Sequence, residues 1–343
     1  MKILIIGGTK FLGRHLINAA TERNHTVTLF NRGKYSTEKF ENVEQIHGDR
    51  NFDLDKLNGQ NWDAVIDTCG YLPSAVNKAV EVFKDNVGQY ILISSISAYS
   101  NFSQPNFDET TPLAKLNDEQ LNRADAIDVT GEISGFTLGD LYGSLKVLCE
   151  SAVAMAMPNQ TLIIRAGLIV GAYDTTDRFT YWANRVARGG EILAPGNPNR
   201  FVQFIDAFDL ASWIVKMIER QKSGIFNVTG KPYELTMEKL LAEIKTVSQS
   251  NAEFIWVSED FLTRNNVAPW SEMPLYLPES DNESKGFLLA NIDKALQSGL
   301  EFRPLSETIA DILAWRENKT DELKAGISSE REKELLKMWR EQS

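Results

Sequence analysis

Residues 1–33 read MKILIIGGTKFLGRHLINAATERNHTVTLFNRG. An unbroken apolar run, Ile3 to Ile6, meets two glycines, Gly7 and Gly8. A helix-like stretch, Phe11 to Glu22, follows, and then a second apolar run, Val27 to Phe30. Strands of a parallel sheet, buried on both faces, read as continuous apolar runs. Glycine lets the chain turn tightly where the first strand ends, and Gly13 lets the following helix pack close to that strand. Such a helix aims its free N–H groups and its positive end at the turn, where a pyrophosphate fits. The order strand, glycine turn, helix, strand therefore predicts a dinucleotide site built on Gly7, Thr9, Lys10, Phe11, Leu12 and Gly13. Lys10 stands where a G-x-x-G-x-x-G spacing has its middle glycine.

The same alternation continues outward. Apolar runs recur at Val43–Ile46, Ala64–Ile66, Tyr90–Ile93 and Leu162–Ile164, with helix-like segments near Ser74–Lys84 and Asp140–Met157 and a short helix at Asp53–Leu57. This pattern predicts an α/β fold, a Rossmann-type doubly wound parallel sheet with helices on both faces. After Gly171 the texture changes. A Pro/Gly cluster at 194–198 precedes a strand at Phe201–Ile205 and a helix at Asp206–Arg220 that Asp206 caps. Another strand, Ile225–Val228, precedes helices and Pro- and Trp-rich loops. The expected division is a nucleotide-binding domain, 1–170 completed by about 201–230, and a smaller mixed substrate domain from 171–200 and 231–343. The tail, Ser328 to Gln342, reads as a helix docked on its own domain through Leu335, Leu336 and Trp339.

Composition narrows the function. With 36 basic and 47 acidic residues the chain carries a formal charge of −11, the opposite of a nucleic-acid footprint. The two cysteines, Cys69 and Cys149, lie far apart without metal-like spacing and read as reduced cytoplasmic thiols. The three histidines are scattered, so no metal site is expected. No apolar stretch is long enough to span a membrane.

Three further pieces fall at the C-terminal ends of predicted strands, where open α/β sheets bind ligands. These are Asp67-Thr68-Cys69-Gly70-Tyr71, the serine cluster Ser94 to Tyr99, and Tyr142-Gly-Ser-Leu-Lys146. Tyr142 and Lys146, four residues apart, project from one helix face. A lysine beside a phenol favours the phenolate, and such a tyrosine moves protons to and from a substrate oxygen at neutral pH. A serine hydroxyl holds the same oxygen.

With these pieces in order, the chain resembles the extended short-chain dehydrogenase/reductases of the NAD-dependent epimerase/dehydratase type. The matching stretches are GGTKFLG (7–13), GD (48–49), SSISAY (94–99), YGSLK (142–146), RAGLIVG (165–171) and RFVQFIDAFDLA (200–211). The opening is most similar to a divergent subgroup near the chloroplast stem-loop RNA-binding proteins and bacterial reductase-like proteins. The resemblance implies that Tyr142 is the general acid/base and that Lys146 holds the nicotinamide ribose and tunes Tyr142. It implies Ser95 as the substrate-oxygen donor, with Ser97 and Tyr99 on the substrate side and Asp49 at the adenine. Asp67, Thr68 and Cys69 would line the cofactor crevice, and Arg165 and Gly167 would lie beside the nicotinamide. Arg200 falls where nucleotide-sugar enzymes of the family place an arginine on substrate phosphate; an ordinary loop arginine is the alternative. Departures are Lys10, Ala166 in place of proline, and about 40 residues between Tyr99 and Tyr142, longer than a usual connection. The polar excess, Leu116 to Gly139, reads as a lid that buries Ile127, Val129, Ile133 and Phe136, or as a disordered insert.

The end of the second strand chooses between dinucleotides. NAD-binding sheets place Asp or Glu there for the ribose 2′-hydroxyl; this chain has Asn31-Arg32. Arginine grips a 2′-phosphate with a planar fork, and Lys10 adds a second cation. The expected cofactor is therefore NADP, with NAD as the alternative and adenine stacking as the other use of Arg32. The expected activity is hydride transfer at a carbinol or carbonyl carbon of a small molecule, for which the resemblance suggests a nucleotide-sugar-like substrate. A catalytically silent nucleotide sensor or RNA binder on the same fold is the alternative. The family often dimerises through helices equivalent to those near 74–86 and 140–157.

Overall fold

The computed structural model describes residues 1–34, 40, 42–131 and 133–342. The first half alternates strand and helix: β1 (Lys2–Ile6), α1 (Phe11–Glu22), β2 (Thr26–Asn31), β3 (Glu44–His47), β4 (Trp62–Asp67), α2 (Pro73–Phe83) and β5 (Val87–Ser95). Then come α3 (Asp118–Asp125), α4 (Gly135–Leu138), α5 (Tyr142–Ala156), β6 (Thr161–Ala166) and β7 (Ile169–Val170). The second half holds α6 (Arg178–Ala187), β8 (Glu191–Pro195), β9 (Ile205–Asp206), α7 (Ala207–Glu219), β10 (Gly224–Val228), α8 (Met237–Ser248), β11 (Glu253–Val257) and α9 (Glu259–Arg264). It closes with α10 (Asp293–Gln297), α11 (Leu305–Arg316) and α12 (Ser329–Gln342).

Seven parallel strands form the central sheet in the order β10-β6-β5-β4-β1-β2-β3. Alternation along the strands divides its faces. Ile3 and Ile5 pack with Leu16, Ile17, Leu210 and Trp213 of α1 and α7 on one side. Leu4 and Ile6 pack with Val76, Phe83, Cys149 and Val153 of α2 and α5 on the other. The strand order reverses between β1 and β4, and a crevice opens at the C-terminal ends of such a pair. The register sets Ile6 opposite both Phe30 and Asp67, so the glycine turn, Asn31 and Thr68 come together at one edge. The expected doubly wound α/β sheet is thus the observed one.

A separate apolar core gathers α6, α8, α11, α12 and the parallel pair β8–β11 around Trp182, Leu240, Phe261 and Leu335. Leu335 and Leu336 of α12 are buried there, and Glu332 accepts from Arg185 at 2.7 Å. Among the described residues no helix is long and apolar enough to cross a membrane.

Two expectations change. The strand at Phe201–Ile205 shrinks to β9, which pairs with β7. Phe201 keeps only an isolated antiparallel bridge to Thr236, and the Gln203 amide donates to the Gly230 and Ala290 carbonyls and accepts from the Ala290 amide. The excess segment before α5 is folded, with capping boxes at Asn117/Gln120 and Ser134/Thr137. Ile127, Val129 and Ile133 pack against Leu72, Ala75, Leu141 and Leu145. Phe136, expected to be buried with them, is 89% exposed, because the short α4 turns it away from that cluster.

Candidate active site

The glycine turn is dictated by space. Gly7 and Gly8 hold φ of 95° and 86°, which side chains rarely adopt. A Cβ on Gly13 would stand 2.1 Å from the Gly8 Cα, so the start of α1 closes directly onto the turn. Lys10 needs no such freedom. It is the extended residue before α1, with φ −100° and ψ 179°. No side chain caps this helix and no acid occupies its first turn, which leaves its N–H end suited to an anion.

Orphaned polar groups lie at the strand ends on either side of the turn. Asn31 accepts from the Gly33 amide at 2.8 Å, while its buried Nδ2 has no acceptor among the described residues. The buried Oγ1 of Thr229, a residue the sequence did not single out, has no partner among the described residues either. It lies beside Gly167, where a Cβ would stand 2.3 Å from it. An uncapped helix end between two unsatisfied polar groups fits a dinucleotide laid across the strand ends. Arg32 Nη1 stands 3.9 Å from Asp49 Oδ2, and Asp49 Oδ1 accepts from the Asn51 amide. Thr68 Oγ1 donates to the Ile6 carbonyl at 2.8 Å and flanks Gly7. Thr9 and Leu12 are buried and Phe11 half-buried at the turn.

The residues expected to handle a proton lie at or near the start of α5. A Cβ on Gly143 would stand 1.9 Å from the Ser97 carbonyl oxygen, so α5 abuts the 3-10 turn Ile96–Ala98. This brings Tyr142 beside the turn that Ser95 opens. Ser95 Oγ accepts from the Ser97 amide at 3.1 Å, which leaves its O–H free to donate. Lys146 is buried, and its Nζ donates to the carbonyls of Gly70 (2.9 Å) and Ile93 (2.7 Å). The ammonium lies 5.8 Å from the Tyr142 ring centroid and 4.6 Å from that of Tyr71. Burial, with Tyr142 alongside, pushes the Tyr71 phenol up, so it stays protonated.

Several expected ligand-side residues have their polar atoms engaged inside the protein. Asp67 accepts two bonds from Arg50 (2.6 and 2.8 Å) and one from the Tyr90 hydroxyl (2.8 Å). Burial pushes this carboxyl up, but Arg50 and Tyr90 outweigh it and hold it below the usual carboxylate range. Cys69 Sγ receives Arg50 Nη1 at 3.3 Å, and burial raises its thiol. Arg165 is fully buried on Glu150, which also accepts from Ser94 at 2.5 Å. Arg165 donates to the Tyr99 hydroxyl at 3.1 Å, and Tyr99 donates to Asn227 at 2.6 Å. Burial pushes the Tyr99 phenol up to about 12. Arg50, Glu150 and Asn227 were not legible as site residues, since each is recognised only by a partner distant in sequence.

Arg200 lies in the second core's outer loops, its guanidinium 5.8 Å from the Tyr276 ring. Burial lowers its pKa, and its Nη1 is buried without an acceptor.

Residues 3–99 match the model of the NAD dependent epimerase/dehydratase family. A curated relative, the chloroplast stem-loop binding protein of 41 kDa b from Arabidopsis thaliana, is 26% identical over 68% of this chain. The chain spans 59% of that relative's length. Among solved structures, the UDP-Glc/GlcNAc 4-epimerase from Campylobacter jejuni superposes with a TM-score of 0.66 at 16% identity, over 93% of this chain and 99% of that one. The UDP-glucuronic acid 4-epimerase from Bacillus cereus, in complex with UDP-glucuronic acid and NAD, gives 0.64 at 18% identity, over 92% and 99%. The resemblance read from the sequence motifs is therefore borne out: residues 3–99 match the NAD dependent epimerase/dehydratase family model, and the chain as a whole shares the fold of these epimerase structures.

Proposed function

We propose that the protein is an NADP-dependent oxidoreductase or epimerase acting at a carbinol or carbonyl carbon of a small, nucleotide-sugar-like substrate. The observation that supports this is the closure of α5, which begins at Tyr142, onto the turn that Ser95 opens, with the Lys146 ammonium 5.8 Å from the Tyr142 ring. When bound, the nicotinamide supplies a hydride acceptor or donor. Tyr142 takes or returns the proton of the substrate oxygen, and Ser95 donates a hydrogen bond to that oxygen. Lys146, fixed by two carbonyls, keeps a positive charge near the phenol. The Gly7–Gly13 turn and α1 hold the pyrophosphate; Arg32 with Lys10 supports the choice of NADP over the NAD that a neighbour's structure contains. Arg200, with its unmatched Nη1, contacts an anionic group of the substrate, and Ser97 assists on the substrate side. The Rossmann domain, 1–170 completed by about 201–230, then carries the cofactor, and the part from 171–200 and 231–343 carries the substrate; two separate apolar cores support this division. The segment 116–139 covers the Tyr142 end as a lid. The exposed Leu148 and Met155 on α5 suit a homodimer face.

Tyr142→Phe is expected to abolish turnover while NADP binding, followed by fluorescence titration, stays within about twofold of wild type, because the phenol acts only on the proton. Turnover at the wild-type rate in this variant would sink the mechanism. The likeness to the stem-loop binding protein favours a second reading, RNA binding. The net charge of −11 opposes it. Tight RNA binding that weakens steeply with salt is the result that would favour it.

A further inference from the structure

A second arginine, like Arg200, is half-buried over an aromatic ring. Arg178 opens α6, half-buried, with its guanidinium 5.4 Å from the ring centroid of Trp270. Among the described residues it makes no hydrogen bond and no ion pair. Burial lowers its pKa, and Asp174 attracts it only from beyond hydrogen-bond distance. The Asp174 oxygens are already committed, to the Thr176 amide at 2.8 Å and the Thr176 hydroxyl at 2.9 Å. A half-buried guanidinium without a protein acceptor leaves its donors open to a ligand, and its planar fork matches the paired oxygens of a phosphate or carboxylate.

The two arginines address one loop. Arg178 lies over Trp270 and Arg200 over Tyr276, and the Trp270 amide donates to the Tyr276 carbonyl at 3.1 Å. Trp270 holds φ 65°, a strained value for an aromatic residue that persists only where the surroundings over-determine it. The Phe287 ring, 5.6 Å away and nearly perpendicular, is one such constraint. Phe287 in turn packs on Phe102 at 4.8 Å, in the loop that follows the Ser95 turn. Trp270 thus sits between Arg178 and the loop leading from the catalytic serine.

We propose that Arg178 is a second anion-holding, specificity-determining residue of the substrate site, so that the bound molecule presents anionic oxygens to Arg178 as well as to Arg200. The inference rests on the reading of Arg200 as a substrate contact. The shared chemistry has two sources: the far side of a substrate diphosphate, or a carboxylate elsewhere on the substrate.

Calorimetric titration of the full chain, pre-loaded with NADP, against UDP, UDP-glucose and UDP-glucuronic acid separates them. Arg178→Gln is expected to weaken binding roughly tenfold to a hundredfold, the range for losing a charged hydrogen bond. An equal loss for all three ligands assigns Arg178 to the diphosphate, and a loss confined to UDP-glucuronic acid assigns it to a carboxylate. Arg178→Lys keeps the charge without the fork and is expected to recover part of the loss, which a mere folding defect would not predict. Wild-type affinity for all three ligands in Arg178→Gln overturns the inference. So does a wild-type protein that binds NADP but none of the three, an outcome that leaves the cofactor reading standing; loss of NADP binding as well would take the proposed function with it.

Discussion

At the scale of single residues, local conformation explains what motif spacing left open. Lys10 looked like a defect in the glycine pattern, yet its extended backbone suits any residue. The glycines that matter are those with positive φ, Gly7 and Gly8, and the one pressed on backbone, Gly13. A buried carboxyl near the substrate side offers a separate test. Burial pushes Asp174 up to about 6, against the downward pull of its Thr176 bonds. The folded state therefore holds this proton more tightly than the unfolded chain, and stability falls as pH rises from about 4 to about 6 and stays lowered above. Asp174→Asn keeps an oxygen acceptor without the charge. It is expected to gain up to about 3 kcal/mol at pH 8 and nothing at pH 4, read from urea midpoints at the two pH values. An equal gain at both would refute the account.

At the scale of elements, helices and strands of the first half fall where periodicity places them, down to Pro73 in the first turn of α2, and in the second half Asp206 caps α7 as its position predicts. The apolar spacing of a buried parallel sheet is a local signal, and the sheet's burial enforces it. The segment 116–139 was ambiguous because its few apolar residues are interspersed with charge. Its order comes from docking Ile127, Val129 and Ile133 on α2 and α5, and Asn51 Nδ2 donating to the Val129 carbonyl at 3.1 Å ties it to the loop after β3. Ile127→Ser combined with Val129→Ser is expected to release this segment. Limited proteolysis should then cut within 116–139 at least about tenfold faster, since local opening costs less than global unfolding. An unchanged cleavage rate would mean that these contacts do not hold it.

At the scale of the whole molecule, the tail helix joins the core that lacks the glycine turn. Leu335 is fully buried, and Glu332 both pairs with Arg185 and accepts from the Leu193 amide at 3.2 Å. Leu335→Ala is expected to destabilise the protein by about 2–5 kcal/mol through the cavity it leaves. Because the proposed NADP contacts belong to the other core, the dissociation constant for NADP, measured well below the transition, should not change. A parallel loss of NADP affinity would show that the two cores act as one unit.

By itself the sequence determined the order of strands and helices, the glycine turn and the positions of Ser95, Tyr142 and Lys146, because each is written in spacing between near neighbours. Tertiary structure alone decided where the buried charges go. Asp67 answers to Arg50, Arg165 to Glu150, and Tyr99 to Asn227, 128 positions away. It also decided that, among the described residues, Arg200 keeps its buried Nη1 unmatched beside the loop that Arg178 overlies as well. A buried polar group must find its partner wherever the fold brings one, and no local pattern records that partner in advance.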